Sequence, residues 1–180
     1  LRCINAVCAQ TLLPTTIYII DNNSTDGTDE ALQDSGILND NGSYCNIKIE
    51  YVKLPKNGGG SLGFYEGLSR AHKTNHYDAF WVMDDDGMPD KNCLKELSTH
   101  IKEHDYLSPL VVDVEYQRNM AFKDCSVEDF IKLKSEDHIF IKNAANPFNG
   151  ILYSKKYLDV VGYPNPGMFI WGDEINYDLR

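Results

Sequence analysis

Apolar positions along this chain fall into short runs divided by polar, glycine- and proline-rich turns, and their period switches between that of a strand and that of a helix. Thr16-Ile17-Tyr18-Ile19-Ile20 is β-branched and predicts a strand ending at Asp21. Ile47–Leu54 alternates apolar and polar residues and predicts a second. Phe80-Trp81-Val82-Met83 runs unbroken into Asp84, so Asp78–Asp84 predicts a buried strand. Ser108–Val112, His138–Lys142 and Phe148–Tyr153 read as shorter extended runs. Between them the spacing is helical. Residues 2–11 place Ile4, Val7 and Cys8 on one face before Pro14, and Ser24 or Thr25 is placed to cap a helix reaching about Gln33. Further helices are expected from Ser61 to Lys73, Lys91 to Glu103 (with Leu94, Leu97 and Ile101 in step) and Val127 to Lys134. Ser154 caps a helix over residues 155–161 that stops at Gly162, and a last helix starts near Gly172 and carries Tyr177 and Arg180. The alternation predicts an α/β fold. Residues 35–46, with Gly36, Asn39, Asp40, Asn41 and Gly42, are the segment expected to be most mobile.

Composition narrows this picture. The chain has 180 residues, 42% hydrophobic and 24% charged, which suits one soluble globular domain. No apolar run reaches the roughly 18 residues a membrane-spanning helix needs. A net charge of −10 argues against a general nucleic-acid binder. It leaves a nucleotide ligand open, because a metal ion can stand between acidic side chains and phosphates. Cysteines occur at 3, 8, 45, 93 and 125, with no CxxC and no zinc-like Cys/His spacing. Reduced thiols in a cytoplasmic protein are the expected state. A start at Leu1 rather than Met, and an end at Arg180 inside a helical pattern, read as a fragment cut at both ends.

Candidate chemistry sits at the strand ends. Asp84, Asp85 and Asp86 follow directly on an apolar strand, at the edge where open α/β sheets bind ligands. Adjacent carboxylates repel unless a cation lies among them, and hard oxygen ligands suit Mg²⁺ or Mn²⁺. The plainer account is a solvated acidic turn that caps the helix beginning near Asp90. The stretch Asp21-Asn22-Asn23-Ser24-Thr25-Asp26-Gly27-Thr28 makes a good strand-to-helix turn, and could also present Asp21 and Asn23 to a base or ribose edge. Asn57-Gly58-Gly59-Gly60-Ser61 opens a helix and lets a backbone approach a ligand closely, but it is neither a Walker A loop nor GxGxxG. Asp173 and Glu174 follow Trp171-Gly172. They are either favourable first-turn carboxylates or a general base beside an aromatic platform.

Together, DNNSTDGT, NGGGSLGFYEGLSRA, FWVMDDDGMPD and FIWGDEINYDLR resemble family 2 glycosyltransferases of the GT-A fold, nearest the rhamnosyltransferase and galactofuranosyltransferase branch, over residues 3–180. The resemblance implies a Rossmann-like nucleotide-diphospho-sugar transferase with a central, mostly parallel sheet flanked by helices. Residues 1–180 would form one catalytic domain, with 1–110 serving the nucleotide and 111–180 the acceptor. Asp21 and Asn23 would contact the base, and Asn57, Gly58 and Gly59 would line the nucleotide pocket. Asp84 and Asp85 would lie along the nucleotide, and Asp84 and Asp86 would hold Mn²⁺ or Mg²⁺. Asp173, with Glu174 next, would deprotonate the acceptor, and Trp171 would line the sugar or acceptor site. The implied reaction is inverting transfer from a UDP- or dTDP-sugar to a glycan or lipid-linked hydroxyl in cell-surface polysaccharide synthesis, in the cytoplasm and at the inner face of the membrane.

Two departures from the family pattern stand out. Its opening strand would precede Leu1, leaving the Ile17–Ile20 strand without a neighbour, and its downstream metal-binding His would follow Arg180. Weak activity is expected for a chain lacking both. The rival readings are a nucleotide-sugar-binding module without catalysis, and a nucleotidyltransferase. The latter class usually carries its glycine-rich motif nearer the amino-terminal strand.

Overall fold

The computed structural model describes residues 1–121, 125–132, 148–169 and 177. Helix α1 (Arg2–Cys8) buries Cys3 and Val7 and ends sooner than its apolar spacing suggested. The β-branched run forms β1 (Thr16–Asp21), and α2 (Thr28–Asp34) follows. A hairpin of β2 (Ser43–Tyr44) and β3 (Ile47–Lys53) precedes the long helix α3 (Gly59–Lys73). Then come β4 (Ala79–Val82), α4 (Cys93–His100), β5 (Tyr106–Leu107), α5 (Val127–Lys132), β6 (Ile151–Ser154) and α6 (Lys155–Val161).

Among the described residues the strands form two three-stranded sheets, in the orders β1-β3-β2 and β4-β6-β5. The α/β class holds, while the described pairings are mostly antiparallel. Among the described residues only β1 and β3 pair in parallel, in register from Thr16↔Lys48 to Asp21↔Lys53. The connections explain the difference. A parallel pair needs a crossover, which α2 supplies between β1 and β3. Cys45 (φ 50°) and Asn46 (φ 63°) instead make a two-residue turn with both centres left-handed, which joins only antiparallel strands. In the second sheet β6 is buried along its whole length and runs antiparallel to both neighbours. The Ile17–Ile20 strand therefore does have a neighbour, β3, although no described strand pairs with its other edge.

Two local expectations are corrected. The strand near Ser108–Val112 is β5, displaced to Tyr106–Leu107, because Pro109 brings no N–H to a ladder; Val112 makes only an isolated bridge to Met120. Helix α2 is preceded by Gly27 at φ 85° rather than capped by Ser24 or Thr25. The 35–46 segment is mostly exposed, with Ile37 buried at 1% exposure and Asn39 Nδ2 donating to the carbonyls of Gly36 and Ser43. The Ser154 cap is as expected, its Oγ accepting from the Tyr157 N–H at 3.0 Å. The extended run expected at His138–Lys142 lies outside the described residues, as does the helix start near Gly172.

The main core gathers Leu68, Ala71, Phe80, Ile151, Tyr153 and Tyr177, and a second cluster forms on Leu32, Ile37 and Ile49. Between the free edges of β1 and β4 lies an apolar cavity of about 750 Å³, lined by Ile17, Ile19, Phe64, Phe80 and Val82 among others. Tyr77, just before β4, donates its hydroxyl to Thr16 at the start of β1 (2.9 Å) and packs edge-on against Tyr18. Both strands pack on α3 from that common start. β1 leads to Asp21 and β4 to Asp84, each at the carboxyl end of its strand. No helix among the described residues is long and apolar enough to cross a membrane, and all five cysteines are free thiols.

Candidate active site

The edge begins with Asp21, which is 4% exposed. Its Oδ1 accepts the Ser24 N–H at 2.6 Å, its Oδ2 accepts the Tyr51 hydroxyl at 2.7 Å, and Lys53 Nζ stands 3.8 Å away. Burial opposes ionisation, but those hydrogen bonds and the Lys53 charge outweigh it and hold the carboxyl below its ordinary range. Asp21 thus shapes the turn from within. Asn23 is exposed, with φ 64°, on the outer side of that turn.

The neighbouring Asn22 binds the glycine-rich turn. Its Nδ2 donates to the Gly59 carbonyl at 2.7 Å and its Oδ1 accepts the Gly58 N–H at 3.0 Å. Asn57 closes the same turn from within, its Oδ1 accepting the Gly59 N–H at 2.9 Å. Gly59 has φ +75°, and a Cβ there would overlap the Phe169 carbonyl. The close backbone approach that this glycine permits is therefore made by the chain itself. Ser61, fully buried, donates its N–H to the Phe169 carbonyl at 3.3 Å and its hydroxyl to the Asn165 carbonyl.

At the end of β4 the side chains of Asp84, Asp85 and Asp86 are exposed. The Asp84 carbonyl accepts the Gly87 N–H at 3.1 Å, closing a tight turn, and the Cys3 thiol at 3.6 Å. Burial, with the three nearby aspartates, pushes the Cys3 thiol up to about 11, so it stays protonated. Among the described residues no three His, Cys, Asp or Glu side chains gather to hold a metal. What the turn offers is three exposed aspartates. That donor set suits Mg²⁺ or Mn²⁺ bound jointly with diphosphate oxygens and water, rather than a metal caged by protein.

Trp171, Asp173 and Glu174 lie outside the described residues. Their flanks do not. Phe169 is held as above, and the fully buried Tyr177 donates its hydroxyl to the Gly162 carbonyl at 2.8 Å and stacks on Phe148.

Sequence reasoning missed Asn22, Tyr51, Ser61 and Phe169. For Asn22 a signal existed, since an Asn between two candidate ligands carries both a donor and an acceptor. The other three act through partners remote in sequence, and no local pattern marks them.

The sequence model for Glycosyl transferase family 2 matches residues 1–161. The galactofuranosyltransferase GlfT1 of Mycolicibacterium smegmatis is 25% identical over 98% of this chain, and that of Mycobacterium tuberculosis H37Rv is 26% identical over 99%. The chain spans 59% of the length of each. Among solved structures, the mannosyltransferase PcManGT from Pyrobaculum calidifontis, in complex with GDP-Man and Mn²⁺, superposes with a TM-score of 0.65 at 12% identity, covering 97% of this chain and 45% of its own. The shared fold is GT-A.

Proposed function

The chain belongs to glycosyl transferase family 2, and we propose that it is a catalytic domain of an inverting glycosyltransferase. The donor is a nucleoside-diphosphate sugar and the acceptor a glycan or lipid-linked hydroxyl. One observation carries this reading. Asn22, directly after β1, grips the Gly58–Gly59 turn with both atoms of its side-chain amide, and β4, tied to β1 where the two strands begin, runs into three exposed aspartates.

Asp21 and Asn22 keep the β1 turn and the glycine-rich turn in fixed relation, so a nucleotide meets a preformed surface. Asn23, Asn57, Gly58 and Gly59 are assigned to it, and Asp84 and Asp85 to the same nucleotide. Asp86, with Asp84, would hold Mn²⁺ or Mg²⁺, which when bound supplies Lewis-acid stabilisation of the leaving diphosphate. Asp173 is assigned the acceptor proton, with Glu174 as the next candidate, and Trp171 the sugar or acceptor face. The acceptor oxygen bonds to the anomeric carbon as the bond from that carbon to the diphosphate oxygen breaks. The proton passes to the carboxylate and the electron pair leaves with the nucleoside diphosphate. A single displacement inverts the anomeric centre. Residues 1–110 serve the donor and residues 111–180 the acceptor.

The similarity to galactofuranosyltransferases supports sugar transfer, and we assign that transfer to bacterial cell-surface polysaccharide synthesis at the inner face of the membrane. Calorimetric titration with UDP and dTDP, with and without Mn²⁺, tests the reading. Metal-dependent binding of one of them is expected. Absence of binding to either, or binding indifferent to metal, would overturn it.

A further inference from the structure

Ser61 and Asn165 are 104 residues apart in sequence, yet the first turn of α3 and the loop from Asn165 to Phe169 are locked together. The Ser61 hydroxyl reaches the Asn165 carbonyl and the Ser61 N–H reaches the Phe169 carbonyl. Gly59 has no room for a side chain beside that same carbonyl. Amides of a first helical turn normally go to a cap, to water or to a ligand. Here the Ser61 amide is taken by a distant loop of the same chain.

The loop arrives already stiffened. Pro164 and Pro166 restrict it, Met168 N–H donates to the Asn165 carbonyl at 3.2 Å, and Gly167 N–H donates to Asn165 Oδ1 at 3.0 Å. Phe169 itself adopts φ 62°, a conformation a bulky residue takes only when its surroundings impose it. On its other side the glycine turn is gripped by Asn22. A fully buried hydroxyl is unfavourable without a partner. Ser61 has one, and that partner is the backbone of the loop.

We propose that Ser61 is a positioning residue. It seats the 165–169 loop on the glycine-rich turn and so couples the loop that precedes the proposed acceptor-side residues in sequence to the donor side. The inference rests on the proposed transfer reaction but assigns Ser61 no contact with either substrate. The physical demand is the placement of acceptor oxygen and donor carbon at roughly 3–3.5 Å, where an error of about 1 Å costs roughly a hundredfold in rate.

The test uses Ser61→Ala, Ser61→Thr and Asn165→Ala in the full chain. Asn165→Ala loosens the loop without touching the glycine turn. For Ser61→Ala and Asn165→Ala, nucleoside diphosphate affinity should stay within about twofold, while kcat falls by roughly tenfold to a hundredfold and acceptor KM rises. Ser61→Thr, which keeps the hydroxyl, should recover most of the loss. Hydrogen exchange at the Ser61 and Met168 amides should quicken in the two alanine variants, with circular dichroism unchanged. Loss of nucleotide affinity in step with kcat would overturn the inference, because Ser61 would then be a donor-binding residue. Unchanged exchange at both amides would also overturn it. Quickened exchange with no turnover in any form of the protein, wild type included, would overturn the transfer reading and uphold the seat.

Discussion

Asn22 donates to the Gly59 carbonyl at 2.7 Å, so the residue at the end of β1 fixes a glycine 37 positions later. The same side chain accepts from Gly58 at 3.0 Å. Asn22→Ala removes both bonds, strands the Gly58 N–H and should cost about 2 kcal/mol, or roughly 4–8 °C in Tm. Asn22→Asp should fare no better, since its carboxylate would face the Gly59 carbonyl. Calorimetric unfolding checks the stability. A nucleoside diphosphate titration should show roughly tenfold weaker binding for both variants.

Asp21 and Tyr51 form a second remote pair, at 2.7 Å. The Asp21 carboxyl lies below its ordinary range in the fold, so the stability it contributes is fully present above the usual carboxylate pKa of about 4 and is lost as pH falls through the lowered value. Tyr51→Phe removes a hydrogen bond to a charged, buried group and should cost roughly 1.5–3 kcal/mol at pH 7. With that bond gone the Asp21 pKa rises, so acid unfolding should begin at a higher pH. Urea melts from pH 7 down to pH 2.5 would show the shift.

The two groups of carboxylates should separate by phenotype. Asp86→Ala is expected to abolish metal-dependent nucleotide binding. Asp173→Asn should leave that binding intact and remove transfer by at least roughly a hundredfold, the scale of a lost general base. Titration with and without Mn²⁺, alongside a transfer assay, distinguishes them. Normal transfer by Asp173→Asn would move the base to Glu174.

Ser154 joins β6 to α6. Its hydroxyl accepts from Tyr157 N–H at 3.0 Å and donates to Asp105 at 2.8 Å. Ser154→Ala should destabilise the chain by about 1–2 kcal/mol through the lost cap. Nucleotide affinity should not change, because α6 lies away from the carboxyl edge. Thermal melts and a single titration decide both points.

Local information was enough for most of the elements and for the family. A β-branched run at Thr16–Ile20, an apolar run into Asp84 and helical spacing from Ser61 to Lys73 each specify their own structure through period and side-chain shape. Strand ends carrying Asp21 and Asp84–Asp86 pointed to a metal- and phosphate-handling edge, and the four stretches pointed to the family. Strand pairing was not legible. A parallel or antiparallel choice depends on which edges meet, and here the Cys45-Asn46 turn and the course of β6 decided it. Nor could the sequence say what the glycines are for. Only the tertiary structure brings the Phe169 carbonyl against Gly59 and the Asn165 carbonyl against Ser61, because both contacts join segments about a hundred residues apart. The sequence by itself determined the main elements and the family. The packing of distant backbone on backbone decided how the glycine-rich turn is kept in shape.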